Sequence, residues 1–293
     1  MFAAFLPDKC NQLRDSTCIT TVQSLKQIAI TTPLSDRTIA TNYYHQGKGG
    51  TPILLLHGFD SSLLEFFRLL PLLAAHNETL AVDLFGFGFT ERSPGIQFSP
   101  ATIKSHLFCF WKTLINQPMI LVGASMGGAA AIDFALAHPS CVKKLVLINS
   151  TGYSGGFPFG QFLFPPFEYW AVEWWRFLKL QTLANARNQR NPDHAYLDAV
   201  LCATLPMDMP GWYEAILGFT KSGAYNIEKD IAKIDKPTLI LWGEGDNMLG
   251  TADAEKFKRA IARSELIWIS NSGHVPQFEQ AEITAKHILA FAC

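Results

Sequence analysis

The chain is short of charge, of paired cysteines and of long apolar runs, and each shortage excludes something. Only 17% of its residues are charged and the formal net charge is -1. Its basic and acidic side chains are scattered, so no electropositive stripe is available to a polyanion. Nucleic acid is therefore excluded as a partner. The six cysteines, at positions 10, 18, 109, 141, 202 and 293, show neither CxxC nor a Cys/His ligand spacing, which leaves no metal motif and no disulfide framework. Several sit in apolar runs as small hydrophobes do, and a reducing, cytoplasmic setting is expected. No stretch reaches the roughly 20 apolar residues of a membrane-spanning helix. The N-terminal MFAAFLP has no basic residue before it and is too short for the core of a secretory signal. There is no internal repeat.

What is present is apolar and regularly interrupted. Hydrophobic residues make up 48% of 293 positions, enough for the core of one large domain. From Thr38 onward, short apolar and β-branched runs are separated by glycine: TIATNYY, PILLLHG, TLAVDLFGFG, PMILVG, KLVLINS, PTLILWG and ELIWIS. Such runs read as strands buried on both faces. Helical stretches lie between most of them, among them TIKSHLFCFWKTLIN, MGGAAAIDFALAHP, ADAEKFKRAIARS and AEITAKHILAFA. This alternation predicts an α/β fold, a mostly parallel sheet of about eight strands with helices on both faces. Residues 1–36 carry little signal and read as an extended or partly helical arm. Residues 37–150 and 231–293 read as the core, and 151–230, which has helical pieces and no clear strand, as a helical insertion.

Chemistry enters at LVGASMGGAA, residues 121–130. Ser125 stands where an apolar strand meets a helix, with Gly123 and Gly127 two residues to either side. A sharp strand-to-helix turn needs small flanking residues and exposes the serine oxygen. The helix N-terminus behind it offers unpaired N–H groups to a developing oxyanion. A serine is also a common helix cap, so this motif alone leaves two roles open. A nucleophilic serine needs a base, itself oriented by a carboxylate. His274, in WISNSGHVPQFEQ after the last strand, stands out among the eight histidines. Asp246, in WGEGDNM after the strand before it, is the candidate acid, with Glu244 its neighbouring rival. The order Ser125, Asp246, His274 on strand-end loops is far more specific than any one of the three.

With HGFD at 57–60, DLFGFGFT at 83–90, GASMGG at 123–128, WGEGD at 242–246 and SGHVPQFE at 272–279, the chain resembles the α/β-hydrolase superfamily, in its serine-nucleophile branch, from about Thr38 to the C-terminus. The resemblance implies that the backbone N–H groups of Phe59 and Met126 form the oxyanion hole. It also implies that the helical insertion is a lid over the site, and that no metal or organic cofactor takes part. The expected reaction is acyl transfer to water, as in a carboxylesterase or lipase. A C–C bond hydrolase, a cofactor-free perhydrolase or a slow ligand-sensing receptor would carry the same triad text. Aspartate nucleophiles, as in haloalkane dehalogenases and epoxide hydrolases, are disfavoured by Ser125.

The insertion is dense in aromatics between residues 157 and 177. Packing accounts for some of them. Phe157, Phe159, Trp170 and Trp174 are the candidates for lining an apolar substrate pocket, which suits a hydrophobic ester. Peripheral contact with a lipid surface is a third use of the same residues.

Overall fold

The computed structural model describes residues 2–157, 160–190 and 193–293. Eight strands form one sheet: β1 (Lys26–Thr32), β2 (Ser35–Gln46), β3 (Ile53–Leu56), β4 (Thr79–Val82), β5 (Met119–Ala124), β6 (Val142–Ile148), β7 (Thr238–Gly243) and β8 (Ser264–Ile269). Their order across the sheet is β1-β2-β4-β3-β5-β6-β7-β8. The first two pairings, β1 with β2 and β2 with β4, are antiparallel. All the others are parallel. Every residue of β3, β4, β5 and β7 is buried, as the unbroken apolar runs require of strands covered on both faces.

The helices are α1 (Ser16–Gln23), α2 (Leu69–Ala74), α3 (Pro100–Leu114), α4 (Met126–Ala137), α5 (Phe167–Arg187), α6 (His194–Thr204), α7 (Trp212–Lys221), α8 (Ala252–Ala260), α9 (Pro276–Glu279) and α10 (Ala281–Ala292). Two apolar clusters cover the two sheet faces. One joins Phe110, Ile132, Phe134 and Phe257 of α3, α4 and α8 to the strands. The other gathers Leu69, Leu73 and Ile288 of α2 and α10. Helix α3 begins in a capping box, Ser99 and Thr102 each satisfying the other's backbone N–H.

The segment read as an arm contributes more than a tail. Lys26–Thr32 is the edge strand β1, paired with β2 from Lys26↔Tyr43 to Ile30↔Ile39. One face of an edge strand is solvated, so KQIAITT mixes polar and apolar residues and lacks the continuous run that marks the inner strands. Ahead of it, Cys18 and Val22 of α1 are fully buried. The Asp198 carboxylate of α6 accepts the backbone N–H groups of Arg14 and Asp15, and the Cys18 and Cys202 sulfurs lie 3.6 Å apart.

Between β6 and β7 the described residues contain helices and no strand. Helices α5, α6 and α7 occupy this stretch, on the side where the parallel strands end. Among the described residues no helix is long and apolar enough to cross a membrane.

Parallel strands deliver their C-terminal ends to one edge. β3 ends before His57, β5 before Ser125, β6 before Asn149, β7 shortly before Asp246 and β8 before the loop carrying His274. β3 is also where the strand order reverses, lying between β4 and β5. Crevices outside such a reversal are where open α/β sheets bind ligands.

Candidate active site

Ser125 sits at φ +52°, ψ -121°, a conformation that L-residues adopt only when their surroundings impose it. The surroundings here are backbone. A β-carbon on Gly123 would lie 2.2 Å from the Gly127 carbonyl oxygen, and one on Gly127 would lie 2.1 Å from that of Leu56. Both glycines are therefore required for the turn to pack against β3. The serine side chain makes no capping hydrogen bond to α4, which separates the two roles open at that position. Its Oγ lies instead 3.1 Å from His274 Nε2.

His274 Nδ1 lies 3.0 Å from Asp246 Oδ2. An ionised carboxylate only accepts, so Nδ1 carries the proton and Nε2 is left to accept from the serine hydroxyl. Asp246 is buried. Its Oδ1 accepts the Met248 and Leu249 N–H groups at 2.9 and 3.1 Å, and its Oδ2 also accepts Asn149 Nδ2 at 2.6 Å. Burial pushes this carboxyl up, but the hydrogen bonds from Asn149, His274 and Leu249 outweigh burial and hold it below the usual carboxylate value. Glu244 is exposed and makes none of these contacts. The three residues named from sequence thus form one hydrogen-bonded chain across the ends of β5, β7 and β8.

The turn after β3 lies against the serine. A β-carbon on Gly58 would come within 3.4 Å of the Ser125 β-carbon and 3.5 Å of a Glu65 carboxylate oxygen. Glu65 accepts the Gly58 N–H at 3.0 Å and Gln277 Nε2 at 3.3 Å. Burial pushes its carboxyl up to about 7. His57 is fully buried, and burial lowers its pKa to about 4. Its Nδ1 donates to the Gly58 carbonyl while Nε2 accepts the Leu84 N–H. This imidazole is a brace for the turn, and it touches neither Ser125 nor His274. The Phe59 N–H and the Met126 N–H, at the first position of α4, have no hydrogen-bond partner among the described residues.

Ser125 opens into a cavity of about 290 Å³ whose walls include Phe59, Met126, Phe157, Phe219, Tyr225 and Leu249. Phe59 and Phe157 also border a second cavity of about 570 Å³, walled by Leu163, Val172, Trp175 and Leu217 among others. No charged side chain lines either cavity among the described residues.

Of the four aromatic candidates, Phe157 reaches this space, with its ring 5.1 Å from that of Phe59. Phe159 lies outside the described residues. Trp170 and Trp174 do not reach it. They are 59% and 62% exposed and point away from the core. The residue on the wall is Trp175, whose N–H donates to Asp60 at 2.7 Å. The spacing Val172, Trp175, Lys179, Leu183, Ala186 follows one face of α5, and that spacing, not aromatic density, marks the inward side. Asn149 is not marked out by the sequence. Its only signal is a polar residue at the end of an apolar strand.

A sequence model described as the alpha/beta hydrolase family matches residues 53–287. The chain belongs to the α/β hydrolase family. Among curated relatives of this α/β hydrolase, the alpha/beta hydrolase domain-containing protein VTE7 of Arabidopsis thaliana is 33% identical over 298 aligned residues, covering 99% of this chain and 90% of the relative. The 2-hydroxy-6-oxo-2,4-heptadienoate hydrolase of Pseudomonas putida is 28% identical over 256 residues, covering 83% and 88%. A solved esterase from Thermogutta terrifontis superposes with a TM-score of 0.74 at 22% identity, over 91% of this chain and 97% of that one. That likeness is one of fold.

Proposed function

We propose that this α/β hydrolase is a serine hydrolase that cleaves a neutral, hydrophobic carboxylic ester through an acyl-enzyme. The observation that carries the reading is the unbroken chain from Ser125 Oγ through the His274 ring to Asp246, at 3.1 and 3.0 Å. His274 Nε2 takes the serine proton as Oγ attacks the carbonyl carbon, and the imidazolium that forms is stabilised by Asp246. The N–H groups of Phe59 and Met126 receive the oxyanion, helped by the N-terminus of α4. His274 then protonates the leaving alcohol. A water deprotonated by the same ring next releases the acid and restores the hydroxyl.

The cavity supports a neutral substrate. Its walls are aromatic and aliphatic, and their polar groups are the hydroxyls of Ser125, Thr151, Ser154 and Tyr225. C–C bond cleavage by the same triad is the second reading, favoured by the Pseudomonas putida relative. That relative's name specifies a carboxylate substrate, and burying a carboxylate without a cationic partner is costly. No such partner lines the cavity among the described residues. Helices α5 and α7 act in this reading as the lid. A series of p-nitrophenyl esters from acetate to palmitate, run beside a dienoate C–C substrate, tests the assignment. Turnover that rises with acyl length supports it, and turnover of the dienoate alone rejects it.

A further inference from the structure

Asp60 is the residue of the β3 turn that the proposed mechanism leaves without a role. It directly follows Phe59, sits at φ +46°, and has a side chain only 1% exposed. Among the described residues, every hydrogen-bond partner of its carboxylate comes from the helices over the site. Oδ2 accepts Trp175 Nε1 and Lys179 Nζ, each at 2.7 Å, and Oδ1 accepts Trp212 Nε1 at 2.7 Å. Lys179 Nζ also donates to the Asp60 carbonyl at 2.7 Å. Trp175 and Lys179 belong to α5 and Trp212 to α7.

Phe59, the neighbouring residue of the turn, meets the helices through aromatic packing. The Phe59 ring lies 5.9 Å from the rings of both Trp175 and Phe219. Such packing tolerates sliding. Three hydrogen bonds converging on one carboxylate, one of them also an ion pair, do not, because each is lost by a shift of about an ångström. A buried carboxylate also costs more than an apolar side chain of the same size unless its partners are in place. Asp60 is therefore comfortable only when α5 and α7 are both seated. One peptide unit separates its backbone from the Phe59 N–H.

We propose that Asp60 is a positioning residue that couples the seating of α5 and α7 over the cavity to the alignment of the Phe59 N–H toward Ser125. The inference rests on the reading of Phe59 as an oxyanion donor. It makes turnover depend on Trp212, which lines neither cavity and meets the turn through Asp60.

The test compares Asp60→Asn, Trp212→Phe and the double variant, each checked for folding by thermal denaturation, with Lys179→Met as the substitute should Asp60→Asn not fold. Asp60→Asn is expected to lower kcat on a p-nitrophenyl ester at least tenfold with KM within about threefold. Trp212→Phe is expected to lower kcat several-fold, and the double variant to be no slower than Asp60→Asn alone, the non-additivity expected of one coupled unit. In NMR spectra the indole N–H signals of Trp175 and Trp212 should both move in Asp60→Asn. Independent, multiplying losses, or a drop in thermal stability with kcat unchanged, overturn the proposal. Labelling of Ser125 by a fluorophosphonate separates this failure from that of the ester reading. A wild type that labels but turns over no ester rejects the ester reading, whereas an Asp60→Asn protein that labels at the wild-type rate rejects the coupling.

Discussion

Replacing Asn149 by glycine removes the side chain that ties the acid loop to β6 while keeping a backbone that tolerates the native φ of +40°. Three hydrogen bonds disappear, the longest of them from Asn149 Nδ2 to the Gly273 carbonyl at 3.4 Å. Asn149 Nδ2 donates to Asp246 Oδ2 at 2.6 Å, and Asn149 Oδ1 accepts the buried Gly243 N–H at 3.1 Å. A hydrogen bond to a charged group contributes about 1.5–3 kcal/mol, and an orphaned buried N–H costs about 1–3 kcal/mol. Together they predict a loss of about 4 kcal/mol, a large share of a typical folding stability. In a chain of this size that lowers Tm by about 6–7 °C.

The same substitution reaches the chemistry. With one of its principal hydrogen bonds gone, burial of Asp246 is less opposed and its carboxyl rises. A carboxylate with a depressed native pKa contributes stability above its unfolded value and loses it as pH falls through the native one. In Asn149→Gly the native value moves back toward the unfolded one, so this contribution to stability shrinks. We expect kcat to fall about tenfold, the equivalent of about 1.4 kcal/mol of lost orientation. The assay is denaturant unfolding together with ester turnover from pH 4 to 9. An unchanged Tm and an unchanged kcat would refute the claim that Asn149 holds Asp246 in place.

Glu65→Gln tests the turn from below. The Glu65 carboxyl is pushed from 4.5 to about 7 by burial, so within that window the native state keeps a proton that the unfolded chain has released. Its contribution is full below pH 4.5 and declines as pH rises to about 7. In the difference between wild type and Glu65→Gln, the wild type should lose at most about 3 kcal/mol across the window, read from unfolding curves at each pH; a flat difference rejects the raised carboxyl. Trp170→Ala and Trp174→Ala, which remove outward side chains, should leave turnover of a short p-nitrophenyl ester within about twofold. Trp175→Ala should raise KM for a long-chain ester about tenfold, the scale of a lost apolar wall contact, and equal effects at all three positions would contradict the inward and outward assignment.

Much of this was legible in the residues, for identifiable reasons. Strands buried on both faces must be apolar throughout, so ILLL, MILV and TLILW announce themselves. The nucleophile turn is legible because Gly123 and Gly127 face backbone atoms that no side chain can avoid. The order of serine, acid and base follows from parallel strands that all end at one edge. Other features depend on partners far away in the chain. Asn149 meets Asp246 across 97 positions and Asp60 meets Trp212 across 152, and a single polar residue after a strand reads equally well as a turn. The aromatic helix misled for a related reason. Trp170 and Trp174 share the solvent side of α5 with Phe167 and Phe177, so aromatic density is high on a face that borders neither of the two cavities. β1 escaped notice because an edge strand needs only one apolar face.

The central claim is that Ser125 is a nucleophile activated by His274, and the position of a covalent adduct tests it most directly. After exposure to a fluorophosphonate, peptide mass analysis should place a single adduct on the peptide containing Ser125. The adduct should be absent from Ser125→Ala and form orders of magnitude more slowly in His274→Ala. An adduct on another residue, or labelling that persists at the wild-type rate in Ser125→Ala, would contradict the account.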